Sequence, residues 1–162
     1  MDKIIISDTS CLIALTKIDK LDLLKNLYQE IIITQDVYEE FGGSLPEWIL
    51  IFEVKNKQRQ QELENRLDKG EASSIALALE TENSTLIIDE IKGRKIAQSL
   101  NIDIIGTIGV ILLAEKRGLI KDGIGIILRL VNKGFRLSDK LIDRIIEKYS
   151  KKWLTNCVSL DC

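Results

Sequence analysis

Three short isoleucine-rich runs, Ile4-Ile5-Ile6, Ile31-Ile32-Ile33 and Leu86-Ile87-Ile88, restrict the fold more than any other feature of the sequence. Runs this brief and this apolar do not alternate with polar residues. They read as strands covered on both faces, the signature of a parallel sheet. Parallel neighbours need crossover connections, and helix-spaced apolar residues follow each run. These lie at Cys11 to Leu15, at Leu21 to Leu27 and, after the second run, at Val37 and Phe41 with Thr34 as the helix cap. Gly42, Gly43 and Pro46 break the chain before an extra strand from Ile49 to Val54, and Gln58 to Leu67 reads as a polar helical arm on the surface. Gly70 precedes EASSIALALE, an Ala- and Leu-rich helix. A helix from Ile91 to Leu100 leads to a last strand, Ile102 to Ile105, and Thr107 is positioned to cap a helix through Lys116. The rest reads as helical to Lys148, with Ser138 as a cap.

The expected fold class is therefore α/β, a central parallel sheet flanked by helices in three layers. One domain is expected over residues 1–150, with 151–162 a peripheral C-terminal tail. At 162 residues, 45% hydrophobic and 30% charged, the chain suits one well-buried core. Its longest apolar stretch, Ile104 to Ala114, is well short of the ~20 residues that span a bilayer, and the apolar run at the start is too brief for a secretion signal. A cytoplasmic location is expected. Cys11 falls in an apolar run and reads as core, while Cys157 and Cys162 carry no message, and the odd count argues against a disulfide framework.

The chain has no histidine. That excludes Ser-His-Asp and Cys-His catalysis and HExxH zinc sites. Hydrolytic chemistry would have to rest on carboxylates, Lys, Arg, hydroxyls or a bound metal. With a net charge of −2 there is no global basic field for nucleic acid, although clustered acids at a metal site would mask local basic patches.

In parallel sheets ligands bind beyond the carboxyl ends of the strands. Asp8 follows the first isoleucine run and Asp89 the run at 86–88. Each reads equally as a helix cap when taken alone. Glu71 stands at the start of the Ala-rich helix, where the helix dipole favours an acid. Glu40 sits beside Glu39 on the helix after the second strand, where an exposed glutamate is ordinary.

The order strand-DTS, VYEEF, GEASSIALA, strand-IIDE resembles the PIN-domain family, most closely its prokaryotic VapC-like branch with a GEA-type third motif. The resemblance extends through Gly93-Arg94-Lys95-Ile96-Ala97, Gly106-Thr107-Ile108-Gly109, Ala114 to Ile120 and Gly134 to Ser138, and covers about residues 3–148. It implies a metal-dependent endoribonuclease, a toxin of a toxin–antitoxin pair that dimerises and is silenced by its antitoxin. It also implies that Asp8, Glu40, Glu71 and Asp89 are the catalytic and metal-binding acids, with Glu39 the rival of Glu40. Thr9 or Ser10 would orient the first carboxylate or contact phosphate. Many family members have a Thr or Ser just before the last acid; here Ile87 and Ile88 stand instead, and Glu90 is a further candidate ligand.

All-oxygen donors select Mg²⁺ or Mn²⁺ over Zn²⁺. Lys92, Arg94 and Lys95 could hold a phosphate backbone, Arg94 foremost, or form a solvated helix face. The alternative reading is a PIN-type fold retained as a nucleic-acid or protein-binding module with weak or no catalysis. Phosphoryl transfer through an aspartate acceptor is disfavoured, since Ser10 stands where haloacid-dehalogenase-like phosphatases need a second Asp and Ser7 where receiver domains need an acid.

Overall fold

The computed structural model describes residues 2–160. Its elements run β1 (Ile4–Ser7), α1 (Thr9–Lys17), α2 (Asp22–Tyr28), β2 (Ile31–Thr34), α3 (Gln35–Phe41), β3 (Ile49–Phe52), α4 (Lys57–Glu64), α5 (Lys69–Leu79), β4 (Ser84–Ile87), α6 (Ile91–Ser99), β5 (Asp103–Ile105), α7 (Thr107–Lys116), α8 (Gly123–Asn132) and α9 (Asp139–Leu160). The strands form one sheet in the order β3-β2-β1-β4-β5, every pair parallel. The chain starts at the centre, winds to one edge through β2 and β3, then returns through α5 to β4 beside β1.

The isoleucine runs fill both faces because successive strand residues point to opposite sides. Ile5, Ile31, Ile33, Ile49 and Ile87 join α1, α2, α7 and α8 in one core cluster. Ile6, Ile32, Leu86 and Ile88 join α4, α5 and α6 in the other. This is the three-layer α/β/α arrangement expected from the sequence.

Local signals act where the sequence places them. The Thr34 hydroxyl accepts from the Val37 N–H at 3.1 Å to start α3, and Gly42 ends that helix in the left-handed region with φ of 71°. Ser138 accepts from the Leu141 N–H at 3.2 Å to start α9. Three expectations are corrected. The segment at 58–67 is no free arm: Leu63 and Leu67, four residues apart, bury themselves beside Val54 in the α5 core, each contributing about 1.5–3 kcal/mol. Gly106, not Thr107, caps α7; Thr107 is the first helical residue and spends its donors elsewhere. Helix α9 runs past Lys148 to Leu160. Cys11 is fully buried, as expected, whereas Cys162 lies outside the described residues. No helix among the described residues is long and apolar enough to cross a membrane.

Candidate active site

Asp8 and Asp89 come together because β1 and β4 are hydrogen-bonded neighbours, paired in register from Ile4↔Ser84 to Ser7↔Ile87. The Asp8 N–H extends that ladder, donating to the Ile87 carbonyl at 3.0 Å. Asp8 is 2% exposed. Its carboxylate accepts from the Cys11 N–H at 3.4 Å, so it caps α1 while also facing the other acids. The Ser10 hydroxyl lies 3.4 Å from Asp8 Oδ2 and 3.3 Å from Asp89 Oδ2 and bridges the two carboxylates.

Glu40 arrives from the last turn of α3. Its Oε2 accepts from the Thr9 hydroxyl at 2.6 Å and its Oε1 from the Gly70 N–H at 2.9 Å. Gly70 must be glycine for this approach, because a Cβ there would stand 2.2 Å from Glu40 Oε2. Glu39 points away and accepts from the Gln35 amide at 3.3 Å. Of the two hydroxyls proposed to orient Asp8, then, Ser10 lies beside it and Thr9 holds Glu40 instead.

Glu71 stands in the first turn of α5, half-buried at the cleft. A cleft of about 300 Å³ is lined by Asp8, Thr9, Ser10, Ile13, Glu40, Asp68 and Glu71. Asp68, not among the acids that the sequence motifs single out, also lines the cleft. Its signal is Asp68-Lys69-Gly70-Glu71, the spacing of a capping box, and its side chain accepts from the Glu71 N–H at 2.8 Å.

Asp89 lies just after β4, one residue past the Ile88 N–H that donates to the Ile105 carbonyl at 2.9 Å. Thr107 donates to both its oxygens, the backbone N–H to Oδ1 at 2.8 Å and the hydroxyl to Oδ2. Arg94 is folded back, its Nη1 donating to the Ile88 carbonyl at 2.7 Å behind Asp89. Glu90 caps α6 by accepting from the Gly93 N–H at 2.7 Å. Lys92 and Lys95 are exposed on α6.

The crowding shows in the acidities. Burial first, then the charges of Asp89 and Glu71, push the Asp8 carboxyl from 3.8 to about 8, against the lowering effect of the Cys11 and Asp89 backbone N–H groups. Burial, with Asp68, Glu90 and Glu40 nearby, pushes Glu71 from 4.5 to about 7. Among the described residues no group of three or more Asp, Glu or Cys side chains is placed to hold a metal ion. Glu40 and Asp89 each accept at both oxygens from neighbouring donors. The donor chemistry nonetheless suits a hard divalent cation, since every polar side chain lining the cleft presents oxygen and, among the described residues, no cation is paired with the buried Asp8. A larger trough of about 790 Å³ opens at the other end of the strands, beside Lys3, Tyr28 and Arg117, and contains none of these acids.

Comparison with known families matches residues 4–151 to a family model described as a PIN domain. No curated protein and no solved structure matches the chain.

Proposed function

The chain belongs to the PIN-domain family, and from that premise we propose that it is a Mg²⁺- or Mn²⁺-dependent nuclease hydrolysing RNA phosphodiester bonds. One observation carries the reading. Asp8, nearly without solvent contact, faces Asp89 and Glu71, and among the described residues no cation pairs with it. Such an arrangement costs stability as a structural feature and makes sense as a receptacle for positive charge.

In this reading Asp8, Glu71 and Asp89 hold the ion, with Glu40 brought in from α3 as the fourth acid. When bound, the ion offsets the repulsion among them and supplies the Lewis acidity that turns water into a nucleophile near neutral pH. Asp8 is fixed by its place at the end of β1. Ser10 sets the spacing of Asp8 against Asp89 through its two contacts. Thr9 and the Gly70 N–H fix the rotamer of Glu40. Ile13 lines the cleft beside Asp8. Arg94 retains N–H donors beyond the one given to Ile88, and is the proposed phosphate contact with Thr9 and Ser10.

The same premise extends to biology: a toxin of a toxin–antitoxin pair, a cytoplasmic homodimer whose cognate antitoxin covers the acidic cleft. The resemblance to the VapC-like branch of the family supports that extension.

The test is cleavage of single-stranded RNA with Mn²⁺ or EDTA, for the native chain and Asp8→Asn. The expected result is cleavage only with metal, falling by at least about 100-fold in the variant. RNA binding without cleavage at any metal concentration would identify a binding module instead. Cleavage undiminished in Asp8→Asn would place the chemistry elsewhere.

A further inference from the structure

We infer that Thr107 is a positioning residue of the acidic site, a clamp from the first turn of α7 that holds the Asp89 carboxylate beside Ser10 and Asp8. This rests on the metal-site reading above and deepens it. Asp89 needs such a clamp. Residues 88–90 follow β4 without regular secondary structure; the Ile88 N–H still donates to the Ile105 carbonyl at 2.9 Å and the Asp89 N–H to the Asp8 carboxylate, bonds that hold the backbone and leave the plane of the Asp89 side chain to other partners. The residues before it, Ile87 and Ile88, are fully buried hydrocarbons and offer no hydroxyl.

Thr107 supplies what they lack. It is fully buried, and a buried hydroxyl is costly unless bonded. Both its donors go to one carboxylate, the N–H to Oδ1 and the hydroxyl to Oδ2. A two-point contact fixes the plane of the carboxylate as well as its position. Ser10, on the cleft side, adds a longer contact to Oδ2 at 3.3 Å. The junction is closely packed: a Cβ on Gly106 would stand 3.0 Å from Asp89 Oδ1 and 3.1 Å from Arg94 Nη1. Helix α7 has no side-chain cap from Gly106, so the Asp89 carboxylate also serves its N-terminus.

That last point defines the rival explanation, in which the contact only caps α7. The two differ in what they do to metal affinity, because a group that orients a ligand changes affinity by about 10- to 100-fold. The experiment is Mn²⁺ titration of the metal-free chain by calorimetry, with thermal melts in EDTA alongside. Thr107→Val keeps the shape and the backbone N–H but removes the hydroxyl; Thr107→Ser keeps the hydroxyl; Thr107→Ala serves if the valine variant does not fold. Thr107→Val should weaken Mn²⁺ binding by about tenfold or more, with Thr107→Ser close to native. Native Mn²⁺ affinity in a folded valine or alanine variant, whatever its melting temperature, overturns the role of Thr107 and leaves the metal site standing. A native chain that takes up no Mn²⁺ overturns both.

Discussion

Replacing Asp8 by Asn removes a carboxyl that the fold forces into an unfavourable setting, and the size of the effect can be worked out. In the unfolded chain an aspartate ionises near 3.8, whereas in the folded chain Asp8 does so near 8. At pH 7 folding therefore takes up most of a proton, at about 1.36 kcal/mol for each pH unit between the two conditions, a ceiling of about 4 kcal/mol. Asparagine carries no such cost, and it ranks with aspartate as a helix cap, so its amide oxygen can still accept from the Cys11 N–H. Relaxation around a buried charge reduces the ceiling, and about half of it is a reasonable expectation. Asp8→Asn should then stabilise the metal-free protein by about 2 kcal/mol, or about 4–8 °C in Tm for a chain of this size. Mn²⁺ at a hundred times its dissociation constant should raise the native chain by about 2.7 kcal/mol and the variant hardly at all. Scanning calorimetry at pH 7 with EDTA and with Mn²⁺ reads all four states. Equal melting temperatures in EDTA, with equal Mn²⁺ increments, would show that Asp8 is a helix cap and nothing more.

The same acidities set a pH dependence. Asp8 and Glu71 are raised to about 8 and about 7, so between pH 4 and 8 the folded state holds protons that the unfolded chain has released. Stability of the metal-free chain should fall as pH rises through that window and level off above it, with Mn²⁺ affinity rising over the same range; a melting temperature that climbs from pH 5 to 8 without metal would contradict both values. Gly70→Ala should cost about 1–3 kcal/mol in the native background, where its methyl meets Glu40, yet stabilise by about 0.5–1 kcal/mol when Glu40 is alanine. Additive effects in a urea double-mutant cycle would rule out that close approach. Arg94→Gln should lower stability by about 1–2 kcal/mol by removing the donor to the Ile88 carbonyl, and an unchanged melting temperature would show that this contact contributes nothing.

Much of the fold was readable because it is written in local patterns. The isoleucine runs, the Ala-rich helix and the caps at Thr34 and Ser138 each act through neighbours a few residues away. The arm at 58–67 was misread because a polar helix shows no core-facing stripe until α5 is present to receive Leu63 and Leu67. Thr107 was read as a cap because a threonine after a strand signals one; that its donors go to a carboxylate 18 residues earlier is a matter of sheet order. Asp68 was passed over because one residue of a capping box looks like local helix chemistry.

Residue type and order alone established that the chain is α/β, that it lacks imidazole chemistry, and which acids end strands or start helices. Only the packed sheet decided which of them meet. Placing β1 beside β4 joins Asp8 to Asp89, and laying α3 across α5 turns Glu40, rather than Glu39, toward Gly70. Strand order is chosen by the burial of both sheet faces at once, a property of the whole chain, so no window of sequence contains it.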